Sequence, residues 1–190
     1  MRSLSKFIKR LAAWLLFLVC MALCLFCVVC IAFPMEHYDI IKKYSAEYNL
    51  DTATVCAFIN AESHFDNEAE SHKGAKGLMQ IMDQTALWAA EEIPIEGFIP
   101  EDITDPETNI RIGCWYLSRL TVQFNADETL MMAAYNAGSG NVTGWLYNEQ
   151  YSSDGKTLDK IPYEETEKYV NKINFYKKVY KLLIKVNFYE

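Results

Sequence analysis

The chain has 190 residues and a formal net charge of −7, so it can form one domain of ordinary size with an additional segment. The first 33 residues hold four of the 18 basic residues and none of the 25 acidic ones, which leaves a net charge of −11 for residues 34–190. Because the phosphate backbone binds basic surfaces, a domain this acidic is a poor match for it, and we expect no nucleic-acid partner.

Residues 1–33 predict a cytoplasmic basic tip followed by a transmembrane signal-anchor. The stretch from Leu11 to Phe33 contains no charged residue, and at 1.5 Å per residue it is about 34 Å long, enough to span a hydrocarbon core of about 30 Å. A cleavable signal peptide has a shorter apolar core of about 7–15 residues, so we expect the segment to be retained. Since the basic residues precede the span, we expect the N-terminus inside the cytoplasmic membrane and residues 34–190 as an extracytoplasmic domain.

The six cysteines divide between the two segments. Four lie in the apolar run, where Cys27 and Cys30 form a CxxC pattern. A lipid core disfavours both a thiolate and a hydrated metal ion, so we interpret these four residues as small apolar filler. Cys56 and Cys114 belong to the domain and lie among apolar neighbours in helical patterns, which favours buried free thiols over a disulfide.

Residues 34–190 are predicted to be almost entirely helical. No segment alternates as a strand, and the apolar spacing predicts helices joined by polar or glycine-containing loops. Asp51 and Asp105 are predicted N-caps, the second followed by proline at the first helical position, and Asp83 is the predicted cap of a short helix. The helix after Asp127 is predicted to break over residues 136–140. The predicted helices cover about residues 36–49, 52–62, 83–91, 106–124, 127–135, 142–147 and 164–186.

Glu62 is the carboxylate whose position points most clearly to chemistry. It ends a predicted helix and lies four residues after Phe58 and three after Ile59, beside the predicted buried face. The negative end of the helix dipole and an apolar wall would both raise its pKa. A carboxylic acid that stays protonated can protonate the leaving oxygen of a glycosidic bond. Position alone favours an ordinary exposed glutamate at a helix end, so the assignment depends on the surroundings of Glu62.

Four blocks of residues stand out around and after Glu62. In chain order they are Glu62-Ser63-His64-Phe65 with Gly74-Ala75-Lys76-Gly77-Leu78-Met79-Gln80, then Asp105-Pro106 with Asn109-Ile110, then Ala134-Tyr135-Asn136-Ala137-Gly138, and finally Glu165-Thr166 with Tyr169-Val170. In this order they resemble the Slt-type soluble lytic transglycosylases, whose catalytic domain is similar to goose-type lysozyme. Asp66 and Asn67 depart from the Asn-Pro that this family often carries.

The resemblance implies an all-α, lysozyme-like domain that acts on peptidoglycan glycan strands without a cofactor or metal. It would cleave the β-1,4 bond between N-acetylmuramic acid and N-acetylglucosamine and leave a 1,6-anhydromuramoyl product. Glu62 would act as acid and then as base, because an intramolecular hydroxyl needs no second carboxylate to activate water. Tyr169 would hydrogen-bond near Glu62. The substrate-binding residues implied are Ser63, Met79, Gln80, Tyr135, Asn136 and Tyr169.

Two alternatives to a lytic transglycosylase remain open. One is a hydrolytic muramidase of lysozyme type, which would differ in its product. The other is a wall-binding component of a secretion or conjugation apparatus, with partner proteins in that machinery. His64 and His72 lie beside Glu62 in the predicted loop, but no metal-ligand spacing accompanies them, so we expect them at the rim of a groove.

Overall fold

The computed structural model describes residues 2–95 and 97–188, and the chain divides into two compact units, Met1–Pro34 and Met35–Glu190. The first unit contains helix α1 (Arg2–Ala32). Its segment Lys9–Ala32 is long and apolar enough to cross a membrane, a criterion of length and composition that a signal sequence also meets. The four cysteines of this unit are free.

The second unit is built from helices, and in the described part of the chain only two isolated β-bridges form, which pair Lys76 with Glu70 and with Ile81. The predicted all-α class is therefore confirmed. The remaining helices are α2 (Tyr38–Glu47), α3 (Thr52–Glu62), α4 (Asp83–Glu92), a 3-10 helix (Pro100–Thr104), α5 (Pro106–Gln123), α6 (Glu128–Ala137), α7 (Ser139–Leu146) and α8 (Glu164–Lys185).

Helix α3 forms the centre of the second unit. Its residues from Ala53 to Asn60 are all buried, as expected for a helix that is apolar on every side and enclosed by its neighbours. It packs most extensively against α8 and also contacts α2, while α8 continues onto α6. Cys56 and Cys114 are buried in this core as free thiols.

Several helix boundaries differ from the prediction. Asp83 is the first residue of α4, whose N-cap is Met82. Helix α6 continues to Ala137, and Gly138 alone makes the break before α7, because one residue with φ of 89° redirects the chain. The Asn141 side chain donates to the Ala137 carbonyl (2.7 Å), which satisfies one of the last acceptors of α6. The 3-10 helix lies in a segment predicted as a loop.

Two predicted N-caps are observed at their positions with different contacts. Asp105 accepts a hydrogen bond from the backbone of Thr108 (2.9 Å), as a capping carboxylate does. Asp51 precedes α3, but its carboxylate accepts from the Thr54 hydroxyl (3.1 Å) and pairs with Lys181 (3.2 Å). The start of α3 is thereby joined to α8, which belongs to the other end of the domain sequence.

Candidate active site

Glu62 is the last residue of α3 and is half-buried. Burial raises the pKa of its carboxyl to about 7, although a hydrogen bond from Tyr169 and the charge of Lys172 both lower it. At neutral pH the carboxyl is therefore divided between its acid and its carboxylate forms. A group in this state can both give and accept a proton.

Two side chains of α8 hold the end of α3. The Tyr169 hydroxyl donates a hydrogen bond to Glu62 Oε1. One turn further along, Lys172 donates from Nζ to the Ala61 carbonyl (3.0 Å), at the end of α3 where carbonyls lack helical partners. Sequence reasoning missed Lys172, whose only signal is its spacing of three residues from Tyr169 on one helix.

The aromatic ring of Phe58 lies between Tyr169 and Tyr135. Its centroid is 6.2 Å from that of Tyr169 and 4.9 Å from that of Tyr135, both in edge-to-face geometry. Tyr135 donates its hydroxyl proton to the Met79 carbonyl (2.7 Å). Burial, and then the charge of Glu62, raise the pKa of Tyr135, so its hydroxyl remains a donor. Tyr135 is half-buried.

Asn109 of α5 holds the loop between α3 and α4 in place, and sequence reasoning did not assign it this role. It is wholly buried, and its amide donates to the carbonyls of Lys76 (3.0 Å) and Ile103 (2.7 Å). Its carbonyl accepts from the Met79 N–H (2.8 Å). Gly77 leaves room for this amide, since a Cβ there would lie 2.3 Å from Asn109 Nδ2.

Ser63 follows Glu62 in the chain and Gln80 lies in the loop between α3 and α4, and the side chains of both donate to backbone carbonyls. The Ser63 hydroxyl donates to the Leu78 carbonyl (2.8 Å), with the Ile59 carbonyl at 3.2 Å. Gln80 donates from Nε2 to the carbonyls of Ala69 (3.0 Å) and Gly77 (3.1 Å). Both side chains therefore help to fix the loop between α3 and α4.

The side chain of Met79, which the resemblance implies as substrate-binding, points into the interior of the domain. Met79 is wholly buried, and its sulfur packs so closely on Gly113 of α5 that a Cβ at Gly113 would lie 2.2 Å from it. The loop turns at Gln80, which has a φ of 47°, and Met82 beyond it is 42% exposed. Met82 is thus a methionine of this loop that reaches solvent.

Asn136 lies at the exposed end of α6, where its carbonyl oxygen accepts from the buried Thr166 hydroxyl of α8 (2.8 Å). His64 is exposed and its Nδ1 contacts Asn60 Oδ1 (2.7 Å), while His72 is exposed on the same loop. Within the described residues, no three His, Cys, Asp or Glu side chains are grouped in a way that could hold a metal ion.

Comparison with known proteins connects this geometry with one family. A family profile described as transglycosylase SLT domain matches residues 39–158. The soluble lytic murein transglycosylase of Escherichia coli is 36% identical over 151 residues, which are 78% of this chain and 23% of that protein. The membrane-bound lytic murein transglycosylase F of Desulfosudis oleivorans is 37% identical over 109 residues, which are 54% of this chain and 22% of that protein.

A solved structure has the same fold. The X-ray structure of an inactive glutamate-to-glutamine variant of lytic transglycosylase Slt from Pseudomonas aeruginosa superimposes with a TM-score of 0.74 at 33% identity. The match covers 84% of this chain and 26% of that one. The chain therefore spans about a quarter of the length of each of these three relatives.

Proposed function

The chain belongs to the transglycosylase SLT domain family, and on this premise we propose that it is a peptidoglycan lytic transglycosylase. It cleaves the β-1,4 bond between N-acetylmuramic acid and N-acetylglucosamine and leaves a 1,6-anhydromuramoyl end. The observation that carries the proposal is the half-buried Glu62 carboxyl at the end of α3, with a pKa of about 7 and a hydrogen bond from Tyr169. The similarity to a soluble lytic murein transglycosylase also supports the proposal.

The first chemical step is protonation of the leaving group. Tyr169 holds Oε1 of Glu62, and we assign the proton transfer to Oε2. The proton passes from Glu62 to the glycosidic oxygen, which leaves as the 4-hydroxyl of N-acetylglucosamine while its bond to C1 of the muramoyl sugar breaks. Glu62 becomes a carboxylate, which Tyr169 and the charge of Lys172 stabilise.

The second step closes the muramoyl sugar on itself. Its C6 hydroxyl oxygen bonds to C1, and the hydroxyl proton moves to the Glu62 carboxylate, which restores the acid. No water is consumed, and the intramolecular nucleophile has a high effective concentration. The groups that lower the pKa of Glu62 are the Tyr169 hydroxyl and the Lys172 charge. We therefore assign both proton transfers to the Glu62 carboxyl.

The groups proposed to contact the substrate follow from which atoms the fold already uses. The carbonyl oxygen of Asn136 accepts from Thr166, so its Nδ2 is assigned to an N-acetyl carbonyl. The ring of Tyr135 provides an apolar face for a sugar. Ser63 and Gln80 act by shaping the loop, and Met82 replaces Met79 as the methionine in contact with the glycan.

Substitution of Glu62 by Gln tests the proposed acid. The amide keeps the shape of the side chain but cannot supply the proton, so release of soluble muropeptides from peptidoglycan should fall by at least about a thousandfold, in line with the loss of an essential acid. Mass spectrometry of the wild-type products should show anhydromuramoyl ends, which are lighter than hydrolysed ends by one water. Reducing ends alone would identify a hydrolytic muramidase, and full activity of the variant would reject Glu62.

We further propose that residues 1–33 anchor the enzyme in the cytoplasmic membrane, with residues 34–190 outside. Support comes from the apolar segment Lys9–Ala32 and from a relative that is a membrane-bound lytic murein transglycosylase. The basic residues before the span set the orientation. Protease added to intact spheroplasts should remove the domain but spare the N-terminus, and recovery of the domain in the soluble fraction would contradict the anchor.

A further inference from the structure

Helix α8 presents an apolar and basic face to solvent. Phe175, Leu182 and Val186 are 57%, 59% and 57% exposed, and their spacing of seven and four residues places them on one side of the helix. Lys178 and Lys185 are exposed and belong to the same side. The side of α8 that carries Tyr169 packs instead against α3, so this outer face does not cover Glu62.

The charge of this helix is opposite to that of its domain. From Lys168 to Lys185 the chain carries six lysines and no acidic residue, within a domain whose net charge is −11. Lys177 is buried, and the other five lysines are exposed. The basic charge is thus concentrated on the helix that also exposes apolar side chains, a combination typical of helices that lie on an anionic lipid surface.

The end of α8 lies beside the start of the domain. Leu183, Ile184 and Asn187 share a cleft of about 540 Å³ with Met35 and Lys42. Met35 follows the apolar run of residues 11–33 after a single residue, Pro34. The C-terminal end of α8 therefore lines the same cleft as Met35, the first residue of the second unit.

We infer that the outer face of α8, comprising Phe175, Lys178, Leu182, Lys185 and Val186, docks on the anionic headgroups of the membrane that holds the chain. The apolar side chains enter the boundary between headgroups and acyl chains, and the lysines meet lipid phosphates. Because Tyr169 and Glu62 lie on the other side of α8, this docking leaves the active site turned toward the wall. The inference rests on one part of the proposed function, the membrane anchor, because the anchor brings the bilayer near α8.

Photo-cross-linking in vesicles tests this docking. The full chain, with a benzophenone amino acid in place of Leu182, is reconstituted in vesicles of phosphatidylcholine alone or mixed equally with phosphatidylglycerol. We expect lipid adducts at position 182 to be several-fold more abundant in the anionic vesicles and to decrease in high salt, since the Debye length falls to about 3 Å at 1 M. The same probe in place of Val122, which is 77% exposed on α5, should give few adducts.

Two double variants distinguish the effect of the lysines on this face from the effect of the domain's overall charge. Lys178→Gln with Lys185→Gln should reduce lipid adducts at position 182 several-fold. Lys156→Gln with Lys160→Gln removes the same charge from the exposed loop after α7 and should leave them unchanged. Both pairs avoid Lys177 and Lys181, which form ion pairs inside the domain, and circular dichroism verifies that each variant is folded.

Each other outcome overturns a named part of the inference. Equal lipid adducts at positions 182 and 122, or adducts insensitive to phosphatidylglycerol, would reject the docking face. Adducts to protein in place of lipid would reject the membrane and identify a second copy or another protein as the occupant. If the chain stays in the vesicles after alkaline carbonate extraction but position 182 gives no lipid adducts, the docking is rejected and the anchorage stands. If carbonate extracts the chain although position 182 gives lipid adducts, the anchorage is rejected and the docking stands.

Discussion

At the scale of single residues, the chemistry depends on how the surroundings of Glu62 balance its pKa. Burial raises it, and Tyr169 and Lys172 moderate the rise, so the value is about 7. Without the moderating groups the acid would be too weak to give up its proton easily. With full exposure it would already be ionised at neutral pH. The two moderating groups act through different physics and can be separated.

Replacing Tyr169 by Phe removes a hydrogen bond that favours the carboxylate. The pKa of Glu62 should rise, and since the acid must be protonated in the free enzyme, the alkaline limb of kcat/KM should move above its wild-type position near pH 7. A hydrogen bond to a charged group contributes about 1.5–3 kcal/mol, so kcat should fall by about ten- to a hundredfold. An unshifted limb would show that Tyr169 is only structural.

Replacing Lys172 by Met removes a positive charge near Glu62 and the bond to the Ala61 carbonyl. The alkaline limb should again move to higher pH, by less than in the Tyr169 variant because Lys172 is exposed and screened. The difference from wild type should shrink as salt is added. Lys160→Met, an equal charge change in an exposed loop, should leave the limb in place.

The raised pKa of Glu62 also predicts an effect on stability. A group with a raised acid pKa contributes stability while it is protonated and loses it as pH rises, here between about 4.5 and 7. That rise corresponds to about 3 kcal/mol. Glu62→Gln, which stays neutral, should therefore be more stable than wild type at pH 8 by up to about 3 kcal/mol and gain nothing at pH 4. Urea unfolding at both pH values measures this.

At the scale of elements, the loop between α3 and α4 is held by α5. Asn109 binds its backbone at Lys76 and Met79, and Met79 packs its sulfur on Gly113. The same stretch receives the Tyr135 hydroxyl at the Met79 carbonyl. The position of this loop therefore depends on close approach between the loop and one face of α5.

Gly113→Ala tests this close approach. Its new Cβ would lie 2.2 Å from the Met79 sulfur, so we expect a loss of about 1–3 kcal/mol in the free energy of unfolding and a lower kcat, because Met79 must move. Gly144→Ala is the matched control, since Gly144 is also helical and has no atom within 4 Å of the Cβ position. It should be neutral or stabilising by about 0.5–1 kcal/mol, and equal losses in both variants would reject the clash.

At the scale of the whole domain, α8 joins elements that are distant in sequence. It contacts α3 and α6, holds Glu62 through Tyr169, and carries the buried Lys177. The Lys177 ammonium lies 2.6 Å from both carboxylate oxygens of Glu128 at the start of α6 and 4.0 Å from Asp51 before α3. Helix α8 thus both contacts Glu62 in the candidate active site and joins α3 and α6 through its ion pairs.

The two partners of this ion pair should respond unequally to substitution. The Lys177 side chain is 10% exposed and that of Glu128 is 57% exposed. Glu128→Ala leaves the buried ammonium with only the more distant Asp51 carboxylate, at 4.0 Å, and should lower the free energy of unfolding by about 2 kcal/mol. Lys177→Met leaves a carboxylate that water can solvate, so its change should stay within about 1 kcal/mol. Urea unfolding of both variants measures these changes. A larger loss of stability in Lys177→Met than in Glu128→Ala would contradict the prediction.

Local patterns were sufficient for much of this fold. The bounds of α3 and the cap at Asp105 followed from apolar spacing and capping residues within one turn. The position of Glu62 at a helix end beside a buried face followed in the same way. These features depend on neighbours three or four residues away, which a sequence displays directly.

The direction of side chains in the site was not available from such patterns. Met79, implied by the resemblance as substrate-binding, packs instead against Asn109 and Gly113, which lie about 30 residues further along the chain. Ser63 donates to the Leu78 carbonyl. The buried Asn109 side chain binds the carbonyls of Lys76 and Ile103, which no local sequence pattern predicts. Each outcome was set by which backbone groups required a partner after the chain had folded.

Apolar periodicity and the ordered motifs were enough to predict the helical class, the apolar segment before the domain, and a glutamate at a helix end. The pKa of about 7 depends on the folded domain, because burial raises it and the Tyr169 hydroxyl that moderates the rise belongs to α8, 107 residues away. Periodicity reports the faces of single helices, whereas a pKa depends on the groups and the solvent that surround a side chain after those helices have packed.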